Sequence, residues 1–499
     1  MHLTPRSVVT SNAARGFIAI AIIFFALHMR PSRQLYAAGA GRKTIGLAAG
    51  TLPVSQTCDK SSPAQSYYLP CDANNAGSST LTQNDYYDFD WQSFIALNWP
   101  ALQGGQRGQP DPNGTIGGGS PVVWETYKQN TEVFLVNGTQ PGGWNDSLPF
   151  PCTTHPGVKA MGKVASPVSR TTLNEVNQAG LNFGQFLGPL VDQNGNFVLY
   201  EIRLDQSEFT YVYNLQYYNA TNQINAVTGK TFQVPPKTGQ EGYLQTPLPT
   251  WAQTGAVEIK AAWRVLDPVK DKDRMQRYYT RDAYFVSYVN NTPTCQYLGT
   301  MGLIGLHILR LTATNGSTWT WATFEQVDNT EIDASNPPSP PTPSLNPGPM
   351  GSPPSPYNPN GYYGQQPPSV PSGPLPANPQ IVNVSRLTAI SPAIQAANAK
   401  YRPLLPAPFS YYQLVAAVNP NPPNTPSPGC TVPFSGGVVP NVCVAANTTM
   451  ETYEQSISCL SCHAKGTPQG TQPNPSFQIF TFLLQEAQKA PQQGAHTTK

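Results

Sequence analysis

Between residues 331 and 380 lie seventeen of the chain's 53 prolines. At that density neither a helix nor a strand ladder survives, because each ring fixes φ and removes an amide donor. The stretch 332–380 therefore reads as a semi-extended, Pro-rich linker or insertion. Ordered structure in this 499-residue chain must sit on either side of it, at 41–331 and 381–499. A further segment, 1–40, reads as an export signal: Arg6 and Arg15 form a basic start, 17–27 is apolar, and Ala38-Gly39-Ala40 is a small-residue cleavage site. The apolar run falls short of the roughly 20 residues that span a bilayer. Arg30 and Arg33 just after it leave an uncleaved anchor as the other reading. The expected location is outside the cytoplasm, in the periplasm, with no stable membrane span once the signal is removed.

Only 11% of the residues are charged while 10% are aromatic, which suits a strand-rich, loop-rich exported protein. Loss of 1–40 would remove four arginines and no acid, leaving a nearly neutral chain. Nothing in that balance offers a footprint for nucleic acid.

The region 41–331 carries most of the strand signals. Residues 84–100 are the exception: Trp91, Phe94 and Ile95 at helical spacing predict a helix that Pro100 stops. Asn194-Gly195 between apolar runs predicts a hairpin over 190–204. Strands are also expected at 209–218 and 256–266, and a second hairpin joins 301–312 to 318–327 across Asn315-Gly316. The first strand of that hairpin is apolar on both faces, as a central strand would be. Glu125 and Glu258 read as surface ends of strands, and Asp192, Asn194 and Asn196 as a hairpin turn rather than a calcium loop. Beyond the proline stretch, Ser391 and Pro392 start a helix. Thr448 and Glu451 form a capping box for another that runs into the cysteines at 459 and 462, and 475–488 reads as a last helix. The expected class is α+β, a strand-rich N-terminal block with a short helical C-terminal, cytochrome c-like haem-binding block.

The motif with chemistry is Cys459-Leu-Ser-Cys462-His463. Two thiols at this spacing add to the two vinyl groups of a haem, and the adjacent His is then held beneath the iron. A chance match is expected on the order of 10⁻³ times in a chain of this composition. A thioredoxin-like pair would want a βαβ setting, and a structural zinc site two more nearby ligands; neither is present in the sequence. The site residues are thus Cys459 and Cys462 for attachment and His463 for the iron, with haem c as the cofactor. The other six cysteines, 58, 71, 152, 295, 430 and 443, suggest disulfides in an oxidising compartment; nearest neighbours would pair as 58–71, 152–295 and 430–443.

No Met follows His463, so a sixth iron ligand must come from upstream or the site is open. Met450, His155, Met161, Met275 and Met301 have simpler readings as packing or loop residues, and Met350 lies in the linker. His307 interrupts an apolar strand, where it needs either a hydrogen-bond partner or a metal. It is a satisfied core histidine or the distal iron ligand.

Several phrases, DFDWQSFIALNWP (88–100), VVWETYKQNTEVF (122–134), EIKAAWRVL (258–266), GLIGLHILRLT (302–312), WTWATFEQVDN (319–329) and NTTMETYEQSISCLSCH (447–463), resemble a group of large exported bacterial proteins of the cytochrome c family. The resemblance spans both flanks and leaves out 332–380, which reads as an insertion. It implies one covalent haem on Cys459 and Cys462 with His463 as axial ligand, and no particular reaction. The expected function is periplasmic electron transfer to or from a redox partner protein, which leaves open whether the chain is an enzyme. A haem enzyme, peroxidase- or oxygenase-like, with an open distal position is the alternative. A structural protein with incidental haem is the third.

Overall fold

A computed structural model describes most of residues 51–418 and 445–489. Residues 1–50, 149–158, 162–178, 331–342, 347–373, 419–444, 471–478 and 490–499 lie outside the described part, as do shorter stretches such as 74–80, 314–318 and 460–462. The strands are β1 (Lys128–Gln129), β2 (Lys159–Met161), β3 (Leu181–Asn182), β4 (Gln185–Phe186), β5 (Leu199–Leu204), β6 (Val257–Val265), β7 (Thr280–Val289), β8 (Thr292–Arg310), β9 (Thr320–Gln326) and β10 (Tyr412–Val418). The helices are α1 (Gln83–Leu97), α2 (Asn130–Val133), α3 (Gln206–Asn214), α4 (Ala220–Thr228) and α5 (Pro392–Tyr401). The class is α+β, built on one large, mainly antiparallel sheet.

β8 organises that sheet. One edge pairs with β6, which continues to β5 and β1; the other pairs with β7 along its first half and with β9 along its second. β10 extends the sheet beyond β9, and β2 runs parallel to β7. β3 and β4 form a separate two-stranded ribbon. The expected central position of β8 is therefore observed, and its two-sided apolar sequence has this cause. Sequence on both sides of the proline-rich stretch contributes to the sheet, since β10 belongs to 381–499. Within that stretch, Leu345 is buried in the main core and Ser344 donates its amide to the Asp328 carbonyl.

Register fixes what each face carries. Ile308 on β8 lies between Ile259 on β6 and Ala322 on β9, and Leu306 lies beside Phe324. This face meets α1 and α5. Trp91 and Phe94 of α1 pack on Phe324 at ring separations of 5.0 and 4.4 Å, and Tyr401 of α5 stacks on Trp91. Thr82 caps α1, accepting the Asp85 amide while the Asp85 carboxylate accepts that of Thr82, and Asn98 closes the other end on the Phe94 carbonyl. The opposite face carries Glu258, Lys260, His307, Leu309, Trp321, Thr323 and Glu325. Residues 445–455 lie across it.

Several local expectations differ. Residues 206–214 form α3, not a strand: Asp205 accepts the Glu208 amide as an N-cap and overrides the aromatic, β-branched composition. Glu125 and Glu258 are buried, Glu125 through an ion pair with Arg281 and a hydrogen bond from Tyr279. Residues 448–455 make turns instead of a helix, because the Thr448 hydroxyl donates to Glu325 across the sheet and Asn447 takes over the local capping. In the expected last helix, the described stretch 481–489 holds only one 3-10 turn, Leu483–Glu486. The Asn194-Gly195 turn is present, with Gly195 at φ +79° and the Asp192 amide bonded to the Asn196 carbonyl. Cys58 and Cys71 form a disulfide, and Cys295 is disulfide-bonded. Cys152, Cys430, Cys443 and the 1–40 signal lie outside the described residues. Among the described residues no helix is long and apolar enough to cross a membrane.

Candidate functional site

The polar sheet face and the segment laid over it make up the site. Asn447 ties the segment down, donating from Nδ2 to Thr323 Oγ1 at 2.8 Å and to the Phe324 carbonyl at 3.0 Å. Thr448 gives its amide and hydroxyl to the two oxygens of Glu325, which also pairs with Arg386 at 2.8 Å. Tyr200 donates to the Thr449 carbonyl at 2.7 Å. Gly305 makes this approach possible, since a Cβ there would collide with Thr449 Oγ1.

Beyond this anchor the chain brings Cys459 against the sheet. Cys459 is buried, and its thiol donates to the Ala445 carbonyl at 3.4 Å. It packs with Leu309, Trp319, Trp321 and Val418. Cys459 and His463 are each helical at their own positions. Cys462 lies outside the described residues. The His463 imidazole meets Trp321 edge-to-face at 4.2 Å between centroids and Phe482 at 4.8 Å.

His307 belongs to the same surroundings and meets that cluster through Trp321. It is 3% exposed, with Nε2 3.5 Å from Glu451 Oε2. Burial works against the Glu451 charge, but His307 first, then Lys260 and the Asn447 amide, outweigh it and hold the carboxyl below the ordinary carboxylate range. The His307 ring stands 6.2 Å from Trp321, again edge-to-face. The two imidazoles are thus no further apart than the sum of their distances to Trp321, and the indole contacts both.

Of the expected site residues, then, Cys459 and His463 lie together, and His307 is their neighbour through Trp321. Met450 is buried in the main core, as its packing reading expected. The sequence reading missed Trp321, Phe482 and Glu451. Alternation along 319–325 could have placed Trp321 on one face with Thr323 and Glu325. Which face the cysteine segment would cover depends on contacts more than a hundred residues apart, and no local pattern reports them.

The side chains present suit a haem in three respects: a thiol at the Cys459 position, an imidazole four residues on, and apolar aromatic walls around that imidazole. Trp321 adds a polar donor. Its indole is 2% exposed, and its N–H has no acceptor, so a buried hydrogen-bonding group stands unused beside His463. Among the described residues no three His, Cys, Asp or Glu side chains are grouped as a metal site; a haem iron asks the protein only for axial atoms. No family model matches this chain, and no curated protein or solved structure similar to it was found.

Proposed function

We propose that this chain is an exported monohaem c-type cytochrome that transfers electrons in the periplasm, with haem c attached through Cys459 and Cys462 and His463 as an axial ligand. The observation that carries the reading is the Cys-x-x-Cys-His spacing on a segment whose His463 packs between Trp321 and Phe482. Bound there, the haem would supply one-electron redox chemistry at its iron. The chain's own contribution is rigidity and exclusion of water. Asn447, Thr448 and Glu325 pin the incoming segment to the sheet, and the two aromatic rings fix the imidazole and shield it. The Cys58–Cys71 disulfide supports an oxidising compartment, where covalent haem is assembled. The partner is a redox protein recognised without large charge patches, and nucleic acid has no part in the reading.

One observation favours the second reading, a haem enzyme with an open distal position. His307 turns Nε2 toward Glu451 Oε2, at 3.5 Å and without a hydrogen bond, so the atom that would ligate iron faces a carboxylate. The test is the absorption spectrum of the oxidised and reduced protein, made in a host with cytochrome c maturation machinery, beside that of His307→Ala. If His307 completes the iron, the wild type is low-spin and the variant turns high-spin. If the distal position is open, both are high-spin and shift when carbon monoxide is added to the reduced form. Absence of a haem spectrum from the wild type overturns both readings.

A further inference from the structure

Tyr200, Tyr211, Tyr412 and Tyr453 are fully buried and give their hydroxyls to backbone carbonyls, those of Thr449, Gln233, Leu303 and Pro189. A carbonyl holds such a proton in place but does not take it. Tyr279, one residue before β7, is arranged differently. It is 6% exposed, and its hydroxyl donates to Glu125 Oε2. The phenol oxygen in turn accepts from the Val122 amide at 3.3 Å and from Arg281 Nη2. Arg281 also grips Glu125, from Nε at 3.1 Å and from Nη2 at 2.9 Å, and its side chain is 18% exposed. The phenol therefore has a carboxylate to receive its proton and two donors that stay on its oxygen. Tyr401 is also bonded to a carboxylate, but both oxygens of that Asp88 already accept from Lys400.

Oxidisable rings continue inward from Tyr279. Trp263 of β6 stands 6.2 Å from it between ring centroids, and Trp124 stands 6.1 Å from Trp263. Both indoles are fully buried, and each gives its N–H to a side-chain oxygen, Trp263 to Glu201 at 3.0 Å and Trp124 to Asn98 at 3.2 Å. Phe409 stacks on Tyr279 at 5.4 Å. Indole and phenol are among the side chains that give up a single electron most readily, and three such rings stand here in series with acceptors on their polar hydrogens. Burial, and then the Glu125 charge, hold the Tyr279 proton well above the ordinary phenol range. That proton does not leave alone; it leaves with an electron.

We propose that Tyr279 is a one-electron redox site, with Glu125 as its proton acceptor and Trp124 and Trp263 as the route by which an electron hole reaches it. A one-electron oxidant takes an electron from an indole, and Tyr279 refills it. As that electron leaves, the O–H bond breaks, the proton bonds to Glu125 Oε2, and a neutral phenoxyl radical remains. The Val122 amide and Arg281 keep donating to the radical oxygen. A one-electron donor reverses the step: its electron enters the ring and the proton returns from Glu125. A base acts on a proton only within hydrogen-bond reach, and Glu125 is already there. This inference does not depend on haem being present.

Flash-generated tris(bipyridine)ruthenium(III), mixed with the full-length protein, supplies the oxidant for the test. Radicals are trapped by freezing and read by electron paramagnetic resonance, after brief ascorbate has quenched those on exposed rings such as Tyr297. The expected result is an ascorbate-resistant, neutral tyrosyl signal in the wild type that is lost in Tyr279→Phe. Glu125→Gln still accepts the hydrogen bond but not the proton, so the radical should form roughly a hundredfold more slowly, the low end of what a positioned base contributes. Trp263→Phe leaves the bonds of Tyr279 in place and should also slow its formation, and it serves if the first variant fails to fold. A tyrosine with a structural role alone would change the urea midpoint and leave the radical signal untouched. Absence of a resistant signal from the wild type overturns the proposal, and so does a wild-type signal in folded Tyr279→Phe, or wild-type rates in folded Glu125→Gln or Trp263→Phe.

Discussion

Arg264→Leu should cost about 3–5 kcal/mol of folding free energy, the range for removing one partner of a buried ion pair. Arg264 on β6 is fully buried and bonds Asp192 at 2.9 Å and Asp271 at 3.1 Å. Burial pushes the Asp192 carboxyl up even with the guanidinium beside it, so without Arg264 that carboxyl must stay buried with no countercharge. The loss would spread, because Asp192 also accepts the Asn194 and Asn196 amides that shape the turn before β5. Asp271 in turn accepts from Asn194 and Arg274. Against a typical total of about 5–15 kcal/mol, such a loss is a large part of the whole. It should appear as a lower urea midpoint with an unchanged slope. Adding Asp192→Asn should restore part of the loss, since it removes the stranded charge. An urea midpoint within error of the wild type would show that Arg264 is not the keystone of this corner.

Trp321→Ala is the second large effect, and it bears on the site. The indole fills the space between β9, the Cys459 thiol and the two imidazoles, and truncating a buried Trp costs about 3–5 kcal/mol through lost transfer energy and the cavity left behind. Its N–H has no acceptor, so no hydrogen bond is lost with it and the cost is one of packing. Trp321→Phe should therefore recover most of the stability. The alanine variant should also lower the yield of covalently loaded protein more than its stability alone explains, because His463 loses one of its two aromatic walls. The two effects separate if loading is compared with that of a variant equally destabilised at a distant site, such as Arg264→Leu. Equal loading in the two would reduce Trp321 to a core residue.

What could be read from the residues divides along a physical line. Local signals held where they were complete within a few residues. The helical spacing of Trp91, Phe94 and Ile95 marked α1, Gly195 set a turn that needs positive φ, and the two-sided apolar run of β8 marked a central strand. They failed where a distant partner competed. The 206–214 stretch has strand composition, but the Asp205 cap and its burial make it a helix. The Thr448 hydroxyl was expected to cap a helix and instead reaches Glu325, more than a hundred residues away. Glu258 looks exposed in a list of neighbours that says nothing of Glu208 or Thr481. The candidate site was legible as chemistry, from Cys459 to His463, and illegible as a place. Its walls, Trp321 and Phe482, come from segments that only the sheet register brings together.

The account rests on one bond type, a thioether between this chain and haem. The direct measurement is the intact mass of the full-length protein after denaturation, made with cytochrome c maturation machinery, beside that of Cys459→Ala combined with Cys462→Ala. The account predicts that the wild type carries the added mass of one haem through denaturation, and that the double variant carries none. A wild-type chain at its bare polypeptide mass, folded and with both thiols open to alkylation, would contradict it.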